Sequence, residues 1–145
     1  MPQSLANILV HVIFSTKNRA PLILPETEDE LYPYVASICR AHAVGGTENH
    51  LHIACSLART ITVSRLIEEI KRSSSKWMKT KGARYRAFAW QNGYGAFSIG
   101  QSQLGSLKGY IARQKEHHRV KTFEEEFREF LKRYQIEYDD RYVWD

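Results

Sequence analysis

Apolar residues recur along the chain with two different periods, and these periods predict the elements of a small α+β fold. Residues 8–14 form a short run rich in β-branched side chains, which is typical of a buried strand. A second strand is predicted over 50–56, and two apolar-aromatic segments, 88–90 and 94–99, flank an Asn92-Gly93 turn signal. Apolar residues at helical spacing predict four helices: 27–42, 62–79, 102–118 and 123–134.

The first predicted helix carries three local signals of its boundaries. Thr27 is expected to be its N-cap, with Glu30 at the capping-box distance. Pro33 is expected to kink or restart the helix, and Gly45 and Gly46 are expected to end the element before the strand at 50–56.

The order of these elements favours one fold class. Strand, helix, strand or hairpin, helix, strand is the order of a ferredoxin-like (RRM-like) antiparallel sheet with helices on one face. The two C-terminal helices follow this unit. A length of 145 residues predicts a single domain over 1–145. Enzymes and nucleic-acid-binding proteins share this fold, so the fold alone does not decide the function.

Composition excludes some classes of protein. Hydrophobic residues at 43% and charged residues at 26% argue against a disordered chain and against a disulfide scaffold. Cys39 and Cys55 have no metal-finger spacing, and we expect both to be buried and reduced. The sequence shows neither a secretory leader nor a membrane-spanning run, which predicts a cytoplasmic protein with no membrane partner.

Charge is segregated along the chain, although the net charge is only +5. Residues 65–86 carry eight bases against two acids, whereas 123–145 carry eight acids against four bases. Four cations of the second helix fall within about 60° of one another on a helical wheel. They are Arg65, Arg72, Lys76 and Lys79. Such a stripe is either a solvated face or a track for nucleic-acid phosphates.

Two histidines on the second strand are the first candidates for chemistry. Side chains alternate along a strand, so His50 and His52 share one face while Leu51 and Ile53 point towards the core. Their spacing suits two ligands of one metal ion, and it equally suits two surface histidines.

A tyrosine and a glutamine on the third helix are the next candidates. Tyr110 and Gln114 lie one turn apart, beside the apolar stripe of that helix. The phenol could be a nucleophile and the amide oxygen a third metal ligand, or the tyrosine could be half-buried with its hydroxyl in water. His117 and His118 are not expected to act as a metal pair, because adjacent helical positions diverge by 100°.

Taken together, the motifs resemble those of the IS200/IS605-type single-tyrosine transposases of the HUH superfamily. The likeness covers nearly the whole chain. It rests on Val12-x-Phe14-Ser15-Thr16-Lys17-x-Arg19, Asn49-His50-Leu51-His52, Tyr94-Gly95-Ala96-Phe97-Ser98, Tyr110-Ile111-x-x-Gln114-x-x-His117-His118 and Phe123-x-x-Glu126-Phe127.

This resemblance implies a role for each matched residue. His50, His52 and Gln114 would bind Mg²⁺ or Mn²⁺, and Tyr110 would attack a single-stranded DNA phosphate to leave a 5′-phosphotyrosine and a free 3′-hydroxyl. The resemblance further implies DNA hairpins at transposon ends as partners. It also implies a homodimer in which the segment 100–105 lets the tyrosine helix complete the other subunit's metal site. The alternative is a catalytically degenerate nucleic-acid-binding module on the same fold.

Overall fold

The computed structural model describes residues 2–145 and contains a four-stranded antiparallel sheet with five α-helices. The strands lie in the order β2-β3-β1-β4, and every neighbouring pair is antiparallel. This confirms the predicted ferredoxin-like α+β class. In chain order the elements are β1 (Leu9–Ser15), α1 (Pro25–Cys39), β2 (Ala41–Thr47), β3 (His50–Ser56), α2 (Val63–Lys79), β4 (Gly95–Ile99), α3 (Leu104–Ala112), α4 (Gln114–His117) and α5 (Phe123–Arg133).

Helices cover both faces of the sheet. Alternate residues of the central strands point in opposite directions, so each strand contributes side chains to the packing on both faces. Val12 and Ile53 point into a core shared with α1 and α2. Ile13, the neighbour of Val12, packs instead with Phe97 and with the apolar face of α5. The sheet therefore has its main core on one face and a second, smaller core under the C-terminal helices.

Strand β2 is not predicted from the sequence, whose pattern places 41–42 in the first helix and 43–47 in no element. Helix α1 ends at Cys39 because Arg40 is left-handed, with φ of 50°. The chain then pairs with β3 through a tight turn at 48–49. Gly45 is needed there, since a Cβ would lie 2.6 Å from the Ile111 carbonyl oxygen of α3.

Other element boundaries also differ from the predictions. Helix α1 begins at Pro25 with Leu24 as its N-cap, so Thr27 lies inside the helix, and Pro33 does not interrupt it. The predicted helix 102–118 is divided into α3 and α4 by a non-helical Arg113. The segment 88–90 forms a single bridge, Thr16 to Trp90, rather than a strand.

Three local features complete the fold, and one of them, the burial of both cysteines, confirms a prediction. Thr62 caps α2 and accepts a hydrogen bond from the Arg65 backbone nitrogen. Cys39 and Cys55 are both buried and free. None of the helices within residues 2–145 combines the length and apolar character that crossing a membrane requires.

Candidate active site

The two histidines of β3 lie on the sheet face that the C-terminal helices cover. Both side chains are fully buried, at 0% exposure, which excludes the alternative of two surface histidines. The His50 ring packs against Phe123 and His118, at centroid distances of 4.6 and 4.5 Å. The period-2 alternation of the strand thus brings both imidazoles under one helical cover.

Glu126 of α5 is the residue on which the histidines converge. One carboxylate oxygen, Oε1, lies 2.8 Å from His52 Nε2, 3.1 Å from His118 Nε2 and 3.6 Å from His50 Nε2. The other oxygen, Oε2, accepts hydrogen bonds from the Tyr110 hydroxyl and from Gln114 Nε2. One carboxylate therefore joins the metal-ligand candidates to the candidate nucleophile.

Helix α5 aims this carboxylate inwards because of its spacing of apolar residues. Phe123, Phe127 and Phe130 fill the second core, and Glu126 lies among them on the same buried face. Thr122 begins the helix with a capping box to Glu125, which fixes its first turn. An acidic residue on an apolar helical face, itself 1% exposed, is held there by its polar partners.

Four side chains of the cluster form a compact group of metal-binding atoms. Each offers one ligand atom, and these atoms lie within 4.8 Å of one another; the residues are His50, His52, His118 and Glu126. Gln114 adds an amide oxygen 3.0 Å from His50 Nε2 and 3.1 Å from His118 Nε2. Imidazole nitrogens with carboxylate and amide oxygens form a donor set that could hold a divalent metal ion.

The hydrogen bonds of His50 support this fit. Asn49 Oδ1 lies 2.9 Å from His50 Nδ1, and it is an acceptor because the amide nitrogen of Asn49 donates to the Arg19 carbonyl. Thr47 Oγ1 lies 3.0 Å from the same Nδ1 and can donate to it, so either ring nitrogen of a neutral His50 can carry the proton. With the proton on Nδ1, Nε2 presents a lone pair 3.0 Å from the Gln114 oxygen, and a cation shared by these two atoms would stabilise that arrangement.

The surroundings keep the His50 imidazole and the Tyr110 phenol neutral and the Glu126 carboxylate ionised. Burial, followed by the neighbouring His52, lowers the pKa of His50 to about 3. Burial alone would raise the pKa of Glu126, yet hydrogen bonds from His118, His52 and Tyr110 hold it well below its usual range. Burial and the contact with Glu126 raise the pKa of Tyr110, so the phenol is protonated at neutral pH.

Tyr110 reaches the cluster from α3 of the same chain. Its side chain is half-buried, its ring stacks on His117 at 4.4 Å, and its hydroxyl donates to Glu126. The four residues predicted for catalysis and metal binding, His50, His52, Tyr110 and Gln114, are thus brought together within one molecule.

Three residues of the site were not predicted from the sequence. His118 was excluded only as a pair with His117, and that pair is not formed: α4 ends at His117, and His118 alone turns inwards from its C-cap to the cluster. Glu126 belongs to the motif at 123–127 but has no predicted role; the signal that could have found it is an acid on the apolar side of a helix. His11 of β1 lies behind His52, and its Nε2 is 2.8 Å from His52 Nδ1.

The basic stripe of α2 is exposed, but half of it is paired. Arg65 contacts Glu69 at 3.3 Å and Arg72 contacts Glu68, both one helical turn away. Lys76 and Lys79 form no ion pair with any residue in 2–145. A groove of about 450 Å³ runs between α2 and the segment 88–94, with Arg72, Lys79 and Tyr94 in its lining.

By its fold and site, this chain is an α+β protein in which one tyrosine faces a histidine-rich pocket on an antiparallel sheet. The family described as "Transposase IS200 like" matches residues 4–114. No curated protein sequence matches significantly. A Deinococcus radiodurans R1 protein assigned as a transposase has 16% identity and a TM-score of 0.60, covering 79% of this chain and 95% of its own.

A second solved structure is similar over much the same length. It is a REP-associated tyrosine transposase bound to a REP hairpin, with 16% identity and a TM-score of 0.58, covering 81% of this chain and 72% of its own. At this identity the two structures support the fold, while the family match spans most of the chain. The chain belongs to the IS200-like transposase family.

Proposed function

We propose that this transposase cleaves and rejoins single-stranded DNA at hairpin-bearing transposon ends, through a 5′-phosphotyrosine on Tyr110 and with a bound Mg²⁺ or Mn²⁺. One observation carries the proposal. The Tyr110 hydroxyl and the two histidines of β3 meet at the carboxylate of Glu126 within one chain. A nucleophile and a metal pocket have to be this close for both to act on one phosphate.

His50, His52 and Gln114 would hold the ion, with Glu126 Oε1 and His118 as further donors. The ion would polarise the scissile phosphate and stabilise negative charge on the leaving oxygen. Tyr110 then attacks the phosphorus, a bond forms between the phenolic oxygen and phosphorus, and the bond to the 3′ oxygen breaks. Because a phosphotyrosine is also a phosphodiester, attack by a new 3′-hydroxyl reverses the step and joins the strands.

The phenolic proton has a defined acceptor. Tyr110 donates it to Glu126 Oε2, while the histidines face Oε1 of the same carboxylate. The phenol is protonated at neutral pH and Glu126 is a weak base, so the proton would leave only as the phenolic oxygen bonds to phosphorus. Glu126 Oε2 is the atom to which this proton is already hydrogen bonded. The sequence alone did not identify this base.

The DNA partner is proposed from two features. The structurally similar REP-associated tyrosine transposase is bound to a REP hairpin. The exposed cations of α2, Arg65, Arg72, Lys76 and Lys79, offer phosphate contacts, of which the two lysines are free of ion pairs among residues 2–145. We assign this helix to the binding of the DNA backbone.

We also propose that the chain works as a homodimer in the cytoplasm, so that two transposon ends are held together. The tyrosine helix lies over the site of its own chain, which supports an arrangement in which each subunit supplies both Tyr110 and His50. Free thiols at Cys39 and Cys55 agree with a reducing compartment.

The test is a covalent-adduct assay. Protein is incubated with labelled single-stranded hairpin DNA and Mn²⁺ or Mg²⁺, and the products are separated on a denaturing gel. We expect the wild type to form a slow-migrating adduct that Tyr110→Phe does not form. Hairpin binding without an adduct in the wild type would instead identify the degenerate binding module, and an adduct in Tyr110→Phe would exclude Tyr110 as the nucleophile.

A further inference from the structure

His11 is a buried histidine that the proposed chemistry does not use. It lies on β1, is 1% exposed, and its ring stacks on His52 at a centroid distance of 5.0 Å. Phe97 and Phe130 enclose it on the other sides, at 6.3 and 5.1 Å. A polar ring held inside an aromatic cluster requires a hydrogen-bond partner, and its partner is His52.

His11 is positioned behind the metal pocket rather than in it. Its Nε2 lies 2.8 Å from His52 Nδ1, on the side of the His52 ring opposite to the Nε2 that faces Glu126. The group of ligand atoms within 4.8 Å of one another includes His50, His52 and His118 but not His11. His11 therefore lies outside the set of candidate metal ligands.

The hydrogen bond between the two rings can run in either direction. In the metal-free chain His52 Nε2 donates to Glu126, so His11 Nε2 donates to His52 Nδ1, and an ion bound at His52 Nε2 requires the reverse. A neutral imidazole has one N–H and one lone pair, and an imidazole that binds a cation must offer the lone pair. If His52 binds the ion through Nε2, its proton has to lie on Nδ1 and be donated to His11 Nε2. His11 then carries its own proton on Nδ1.

We propose that His11 is a positioning residue of the metal site, which accepts the Nδ1 proton of His52 and so directs the Nε2 lone pair towards the divalent cation. This inference rests on the proposed function, because it presupposes that His52 binds an ion. With His11 as the acceptor, the hydrogen bond holds the ring orientation of His52 and stabilises the tautomer that binds the ion. Partners of this kind are worth about 10- to 100-fold in metal affinity.

The first test measures Mn²⁺ binding by titration calorimetry on the full chain. His11→Phe keeps an aromatic ring but removes the acceptor, whereas His11→Gln places an amide oxygen near the position of Nε2. Phe97→Leu is the matched control, because it trims the ring beside His11 without removing a hydrogen bond. Thermal unfolding in EDTA establishes that each variant is folded.

The expected result is a loss of about tenfold or more in Mn²⁺ affinity for His11→Phe, with His11→Gln and Phe97→Leu within about threefold of the wild type. Wild-type affinity in His11→Phe would overturn the inference. So would an equal loss in His11→Gln, or an equal loss in Phe97→Leu, which would assign the effect to packing. If the wild type itself binds no Mn²⁺, the proposed function fails together with the inference.

A second measurement uses the wild type and so does not depend on the folding of a variant. Long-range ¹H–¹⁵N spectra of the Mg²⁺-loaded protein distinguish protonated from unprotonated ring nitrogens. We expect a protonated Nδ1 on His52 and an unprotonated Nε2 on His11. A protonated His11 Nε2 in the loaded protein would overturn the inference even if every variant binds metal as expected.

Discussion

Acid is expected to unfold the metal-free protein early, because two buried histidines take up protons only on unfolding. Burial, followed by His52, lowers the pKa of His50 to about 3, and burial likewise holds the pKa of His11 well below its usual value. In the unfolded chain both imidazoles return to a pKa of about 6.5. Between the folded and unfolded values the unfolded state binds more protons, so the free energy of unfolding falls as the pH falls.

The size of this fall in the free energy of unfolding can be calculated for His50 alone. Each proton taken up on unfolding costs about 1.4 kcal/mol of stability per pH unit. With an unfolded pKa of about 6.5, acidification from pH 7.5 to 4.5 removes about 2.7 kcal/mol through this one side chain. His11 acts in the same direction. Against a typical stability of about 5–15 kcal/mol, this is a large fraction.

Urea unfolding in EDTA at pH 7.5, 6.5, 5.5 and 4.5 measures this effect. Replacing His50 by Gln removes its titration, so the loss between pH 7.5 and 4.5 should be about 2.7 kcal/mol smaller than in the wild type. His42→Gln, at an exposed imidazole, is the matched control. A pH dependence of His50→Gln equal to that of the wild type would refute the reasoning.

Three other experiments test the ion, the basic helix and the subunit arrangement. Glu126→Ala should weaken Mn²⁺ binding at least about tenfold in calorimetry, because it removes the carboxylate of the cluster; unchanged affinity would place the ion elsewhere. The double variant Lys76→Ala, Lys79→Ala should make the slope of log binding constant against log salt concentration shallower by about 1.4 for single-stranded DNA. An unchanged slope would show that these lysines face solvent and do not contact DNA phosphates. A mixture of Tyr110→Phe and His50→Gln should form no covalent adduct, whereas a restored adduct would show that the tyrosine acts on the partner's site.

The part of the site that follows local periodicity could be predicted from the sequence. The alternation of β3 placed His50 and His52 on one face, and the helical spacing of Tyr110 and Gln114 placed them together. The structure confirms that these residues share one cluster. The burial of the histidines could not be predicted in this way, since it depends on α5, more than 70 residues further along the chain.

The elements that were missed are those whose pattern is weak or broken. Strand β2 contains Gly45 and Gly46 and lies at the sheet edge, so it lacks the apolar alternation that predicts a strand. The direction of His118 cannot be derived from a straight helical wheel, because the chain leaves helical geometry at Arg113 and α4 ends before His118. Glu126 meets His52 across 74 positions, a contact that no short-range pattern encodes.

The carboxylate of Glu126 lies outside the part of the chain by which the family is recognised. The family match ends at Gln114, after both histidines and the tyrosine, whereas Glu126 and the aromatic cover come from α5. A chain truncated between these points would still be classified correctly by its motifs, yet its histidines would face water and its tyrosine would have lost the acceptor at Glu126. For gene fragments and eroded mobile elements, the informative boundary is thus the last turn of α5 rather than the end of the family match.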